Sequence, residues 1–246
     1  MNLIKLLFIA MVGLSLTTNV LAQQDIREIF VCSYNDGNDM DDLMAARDSY
    51  LEQAEKNDLE LNEAFVWTPI SGRRPFDFLW FNNYDNLVDY GEAIDARGSS
   101  PVVQAILARF AEVATCTSSL ASRQTIYAGS EAPVSSPPAF ISAYACNFQD
   151  GVRKSDMVDL REHLKGAMSA LGDREAYLLY ETTPINSDQN SADLYLYGVN
   201  DNAATWGART QSLVGSETGQ SLIRHFDAIL DCTNSHWSGI RVVPAL

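Results

Sequence analysis

The chain of 246 residues is acidic, with 32 Asp and Glu against 17 Lys and Arg and a formal net charge of −15. A surface of that sign repels phosphate backbones and anionic lipid headgroups, which excludes nucleic acid as a partner. Beyond a short leader, about 220 residues make one large domain or two small ones.

The leader is residues 1–22, MNLIKLLFIAMVGLSLTTNVLA. It has one early lysine, Lys5, an apolar stretch from Leu6 to Leu16 and a Val20-Leu21-Ala22 ending, the form of a secretory signal peptide. The stretch is too short to span a bilayer comfortably, and no other apolar run approaches spanning length. The expectation is export to the periplasm or the medium, with no membrane attachment after cleavage. Losing Lys5 would take the net charge to −16.

After the leader, REIFVCSYN is rich in β-formers and predicts a strand. Asp39 predicts an N-cap, and Leu43, Met44, Arg47, Tyr50, Leu51 and Ala54 follow at helical spacing. LNEAFVWTPI and FDFLWFNN predict two strands flanking a turn at Gly72-Arg-Arg-Pro75. Ser100 and Pro101 predict a second helix start, with Val102, Val103, Ile106, Phe110 and Val113 on one face. SRQTIYAG closes the series as a strand.

The same series then recurs. FVCSYNDG (30–37) matches YACNFQDG (144–151), and WTPIS (67–71) matches TTPIN (182–186). DFLWFNNYDN (77–86) matches DLYLYGVNDN (193–202), and ILARFAEVATCTSS (106–119) matches LIRHFDAILDCTNS (222–235). Four ordered blocks at nearly one offset predict a tandem duplication. The Pro- and Ser-rich stretch GSEAPVSSPP has no apolar periodicity and predicts a linker over 129–138, between a first repeat at 23–128 and a second at 139–246.

Each repeat is therefore predicted as β-α-β-β-α-β, the ferredoxin-like order, with helices on one face of a four-stranded sheet. Strands such as FVWTPI and DFLWF are too apolar for a solvated second face. The predicted class is α+β, two tandem ferredoxin-like repeats packed sheet to sheet. In this the sequence resembles the dimeric α+β barrel superfamily, which includes antibiotic-biosynthesis-monooxygenase-like proteins. The resemblance implies an eight-stranded barrel assembled within one chain as a pseudo-dimer, either monomeric or in a higher oligomer.

Four cysteines allow three pairings. In each repeat one lies on the first strand and one just after the second helix. The duplication selects Cys32–Cys116 and Cys146–Cys232, disulfides suited to an oxidising compartment. No Cys-x-x-Cys or His-x-x-x-His spacing supports a metal site, so no metal is expected.

Comparing the repeats separates residues needed twice from those present once. His163, His225 and His236 all belong to the second repeat and are the candidates for acid–base catalysis. No cofactor is predicted, although a single histidine suffices for haem, which keeps His163 and His225 as alternative iron ligands. Trp67, Trp80, Tyr195 and Tyr197 on the strands, with Asn35 and Gln149 at the Asp-Gly turns, are the candidates for ligand binding. Where the barrel is incompletely filled, these aromatics line a pocket for a small apolar or aromatic molecule. The leading functional expectation is an exported binding protein. A cofactor-independent monooxygenase-like or isomerase-like enzyme is the alternative, and a haem-binding protein the third reading.

Overall fold

In the computed structural model, residues 25–71, 74–129, 138–171, 177–186 and 191–244 are described. The predicted leader, the middle of the predicted linker and Gly72-Arg73 lie outside them. The first half runs β1 (Asp25–Tyr34), α1 (Met40–Lys56), β2 (Ala64–Pro69), β3 (Phe78–Tyr84), α2 (Leu87–Ser99), α3 (Pro101–Val113) and β4 (Ala114–Ala128). The second runs β5 (Ala139–Phe148), α4 (Asp156–Ala170), β6 (Tyr177–Pro184), β7 (Leu194–Asn200), α5 (Ala203–Val214), α6 (Glu217–Ile229) and β8 (Leu230–Val243).

All eight strands close into one antiparallel barrel in the order β1-β3-β2-β8-β5-β7-β6-β4. Two seams join the halves. Along one, β2 pairs with β8 from Ala64 opposite Val243 to Pro69 opposite Trp237. Along the other, β4 pairs with β6 from Ala121 opposite Pro184 to Ala128 opposite Leu178. Each seam carries a bulge, between Ala64 and Phe65 and between Thr125 and Tyr127, which bends a strand toward closure.

Local chemistry fixes the helix ends. Asp39 caps α1, accepting from Asp41 N at 2.9 Å, while the Asp42 carboxylate accepts from Asp39 N at 3.1 Å. Ser100 caps α3 with Pro101 in its first turn. The Asp-Gly turns place Gly37 at φ +84° and Gly151 at φ +83°, which a residue with a Cβ adopts only under strain. One difference from expectation is the pair of extra helices, α2 and α5. Neither announces itself by periodicity: α2 has no buried residue and α5 buries only Arg209. Their caps, Asn86 and Asn202, are the last residues of a repeated block, and that polar signal marks them instead. The closing strands also start earlier than expected, β4 and β8 following their helices without a break.

The helices lie outside the barrel, each half burying its own layer between helices and sheet. Cys32, Leu43, Phe78 and Val113 anchor one layer, and Cys146, Leu160, Leu194 and Ile229 the other. Cys32 is bonded to Cys116 and Cys146 to Cys232, each pair directly opposite across β1–β4 and β5–β8. Two disulfides are suited to an oxidising, non-cytoplasmic compartment. Among the described residues no helix is long and apolar enough to cross a membrane.

Buried ion pairs tie helices to the sheet. Glu28 on β1 accepts from Arg97 of α2 at 2.7 and 2.5 Å and from the Tyr84 hydroxyl at 3.1 Å. That hydrogen-bonded carboxylate holds the Arg97 guanidinium above its already high ordinary pKa. Glu181 on β6 accepts from Arg161 of α4 at 2.9 and 2.7 Å.

Two stability changes are expected. Replacing Cys32 and Cys116 together by alanine opens a loop of 84 residues and costs about 2–4 kcal/mol in denaturant unfolding. Arg97→Ala strands the Glu28 carboxylate and costs about 3–5 kcal/mol, whereas Lys56→Ala, which breaks an exposed pair with Glu52, leaves the unfolding midpoint nearly unchanged.

Candidate functional site

Strand alternation sends one side chain in two into the barrel. Trp67 of β2 packs on Phe81 of β3 at 4.4 Å between ring centroids and on Tyr197 of β7 at 5.1 Å. Tyr197 meets Tyr180 of β6 at 5.0 Å and stacks on Tyr195 at 6.2 Å. Gly239 of β8 makes room for this layer, since a Cβ there would lie 2.3 Å from Ile141 Cδ1 and 3.0 Å from the Trp67 indole. The aromatics thus fill the barrel centre, and what remains beside them is a cavity of about 60 Å³ toward one end. Small-organic-ligand pockets are usually ~300–1,000 Å³. The space left here holds the equivalent of about four to six water molecules.

The polar groups of this cavity are three arginines, Arg27 of β1, Arg123 of β4 and Arg241 of β8, with Tyr180; Trp67, Ile141 and Leu178 are among its apolar walls. Arg27 is the floor, 2% exposed. Its Nε donates to Asn83 Oδ1 at 2.8 Å and its Nη1 to the Tyr180 hydroxyl oxygen at 2.7 Å. Its guanidinium carbon also lies 5.0 Å from the centre of the Phe81 ring and 4.8 Å from that of Tyr180. Toward the rim, Arg123 pairs with Asp25 at 2.6 Å and Arg241 with Glu63 at 3.6 Å. Glu63 also accepts from Asn83 Nδ2 at 2.8 Å. Side-chain exposure rises from Arg27 through Arg123 (19%) to Arg241 (42%), so the cavity leads from a buried cation to the surface.

Burial pushes the Tyr180 phenol up, opposed by the nearby Arg27 charge, and burial pushes the Tyr197 phenol up as well. Both stay protonated at neutral pH and can donate a hydrogen bond but not act as a base. Among the described residues the cavity lining includes neither histidine nor carboxylate. Its chemistry is cationic and hydrogen-bonding, not acid–base.

The residues singled out from sequence fall in several places. Trp67, Tyr195 and Tyr197 belong to the inner aromatic layer, and Trp67 reaches the cavity. Trp80 points the other way, its indole packing on Phe110 of α3 at 5.3 Å and donating to Asn82 Oδ1 at 2.8 Å. Asn35 caps the end of α3, donating to the carbonyls of Ala111 and Glu112 at 2.9 and 3.0 Å, and Gln149 reaches Asp227 O of α6 at 3.4 Å. His163 of α4 and His225 of α6 meet outside the barrel, their Nδ1 atoms 3.0 Å apart. His236 faces outward from β8, with Ser71 Oγ 3.2 Å from its Nδ1 and its ring beside Trp206 and Phe140. The structure therefore brings two of the histidines together but none of them to the cavity.

These placements do not fit haem. His163 and His225 turn their Nδ1 atoms toward each other. Neither the barrel cavity nor a groove of about 460 Å³ between α1 and α3 has a histidine in its lining.

Arg27, Asn83 and Tyr180 were not singled out from sequence. Arg27 lies in a run of β-formers, and its partners are 56 and 153 residues away. The available signal was a charged residue at an inward position of a strand whose counterpart in the second half, 114 residues on, is Ile141.

No family model matches the sequence, and no curated protein sequence matches it. Solved structures do resemble it. A monooxygenase-like protein from Fusobacterium nucleatum superposes with a TM-score of 0.57 at 11% identity, over 89% of this chain and 94% of that one. An anthrone oxidase-like protein gives 0.53 at 10% identity, over 91% and 95%. A dye-decolorizing peroxidase from Bacteroides thetaiotaomicron gives 0.51 at 8% identity, over 89% and 94%. Likeness at such identity is a likeness of architecture. The chain shares with these structures the architecture of an α+β barrel, eight antiparallel strands closed on one another with the helices outside.

Proposed function

We propose that the protein is an exported binding protein that holds one small molecule in the arginine-floored cavity of its barrel. The observation that carries this reading is the cavity itself: an interior otherwise filled by aromatics keeps a space beside a buried cation, open toward the surface. Apolar walls from Trp67, Ile141 and Leu178 suit the apolar body of a ligand, and the arginines its polar end. We take the chain as two ferredoxin-like units, 23–128 and 139–246, joined by the linker over 129–138. The identical element order of the halves supports this. Cleavage after Ala22 would leave β1 starting at the third residue of the mature chain, which agrees with the leader assigned to 1–22.

The enzyme reading has less behind it. Monooxygenase-like and oxidase-like proteins share the fold, but catalysis of that kind needs a group able to take a proton from the substrate. The hydroxyl in the lining of this cavity, that of Tyr180, is a phenol raised by burial, and the cations are guanidiniums that do not deprotonate.

Two outcomes are expected. N-terminal sequencing of the exported protein should begin at Gln23; a chain retaining Met1 overturns the leader. In a thermal-shift screen of molecules of about four to six heavy atoms, stabilising compounds should lose their effect in Val199→Phe, which fills the cavity. Stabilisation that survives Val199→Phe places binding elsewhere.

A further inference from the structure

We infer that the ligand is a short monocarboxylate, bound with its carboxylate on Arg27 and its carbon chain against the apolar walls. This rests on the cavity reading above and assigns the ligand its charge, size and orientation.

The charge follows from the pairing around the cavity. Three guanidiniums are met by two carboxylates, Asp25 on Arg123 and Glu63 on Arg241. The third, Arg27, is the most buried, and among the described residues no carboxylate pairs with it. Its hydrogen-bond partners are a neutral amide and a neutral phenol. An arginine taken out of water without an anion is destabilising, and hydrogen bonds to neutral groups with two flanking rings offset that only in part. One net positive charge therefore faces the cavity, and a monoanion balances it. A dianion would bring an excess negative charge beside Asp25 and Glu63.

The shape of the charge favours a carboxylate. A guanidinium presents a planar fork that matches two carboxylate oxygens, and its partners here hold it from the Nε and Nη1 sides. The Tyr180 hydroxyl, kept protonated by burial, accepts from Arg27 through its oxygen and retains its own proton to donate. Size then sets the rest. About 60 Å³ admits a molecule of about four to six heavy atoms, such as acetate, propionate or lactate. The walls from Trp67, Ile141 and Leu178 favour a short apolar tail over an inorganic ion of the same charge.

The second half supports the assignment by contrast. The inward position of β5 matching Arg27 is Ile141, and that of β7 matching Asn83 is Val199, so the cluster is built once and its apolar counterparts become the opposite wall.

The test is calorimetric titration of the mature protein with sodium propionate, propionamide, sodium nitrate and sodium succinate, read beside thermal melts. Propionate should bind one to one and raise Tm, with propionamide, nitrate and succinate each at least tenfold weaker. Arg27→Met should fold, because an apolar side chain replaces a buried unpaired charge, and should lose the propionate response. Arg27→Lys keeps the charge without the fork and should bind propionate at least tenfold more weakly; it also serves if Arg27→Met fails to fold. Equal binding of propionate and propionamide overturns the anion while leaving the cavity reading standing, provided Val199→Phe abolishes both. Nitrate binding as tightly as propionate overturns the carboxylate in favour of an inorganic anion. Succinate binding as tightly as propionate overturns the single charge. Absence of binding by all four probes overturns the inference, and the cavity reading falls separately if the wider screen also finds nothing sensitive to Val199→Phe.

Discussion

Everything in this molecule depends on hiding the inner face of each half against the other. A four-stranded sheet with helices on one side leaves its second side bare, and here that side carries Phe65, Trp67, Phe81, Tyr180, Tyr197 and Trp237. Exposed, such a surface would aggregate, and each sheet would end in unpaired strands. Pairing β2 with β8 and β4 with β6 removes both problems, since a closed barrel has no free edge. The outer layers then need only cover the opposite faces. They do so with amphipathic helices, buried bidentate ion pairs and one disulfide per half.

The parts of this plan that repeat were legible in the sequence, because a repeat shows up without knowledge of contacts. FVCSYNDG and YACNFQDG share a cysteine and an Asp-Gly pair at matching positions, and they place a strand, a cysteine and an Asp-Gly turn at once. The apolar faces of α1 and α3 followed from spacing, whereas spacing did not separate the inward Trp67 from the outward Trp80. The short outer helices α2 and α5 were missed because they bury almost nothing, so apolar periodicity had no stripe to find. Their asparagine caps carried the information instead.

The site was less legible, for a physical reason. Its parts come from positions that are neighbours only after closure: Asn83 arrives from the second hairpin strand of the first half, and Tyr180 from across a seam. Histidine is the usual acid–base side chain near neutral pH, yet His163 and His225 face each other from two helices. Asn35 and Gln149 drew attention by standing at matching turns, and their amides reach helix-end carbonyls. Asn35 and Gln149 recur because both halves need the same helix ends satisfied. Arg27 occurs once, and a buried charge with no acidic partner among the described residues is the feature that construction of the fold does not require.

The closure of the barrel within a single polypeptide has one more consequence. Two identical subunits related by a two-fold axis must present every inward residue twice, so an arginine at this place would face the interior from both sides. Two buried guanidiniums would then share one small interior, at a repulsion neither aromatic rings nor neutral partners could offset. A covalently joined pair is released from that rule. One half can carry the buried Arg27 while the other supplies Ile141 and Val199 at the positions matching Arg27 and Asn83, and the interior acquires an asymmetry that a symmetric assembly cannot have.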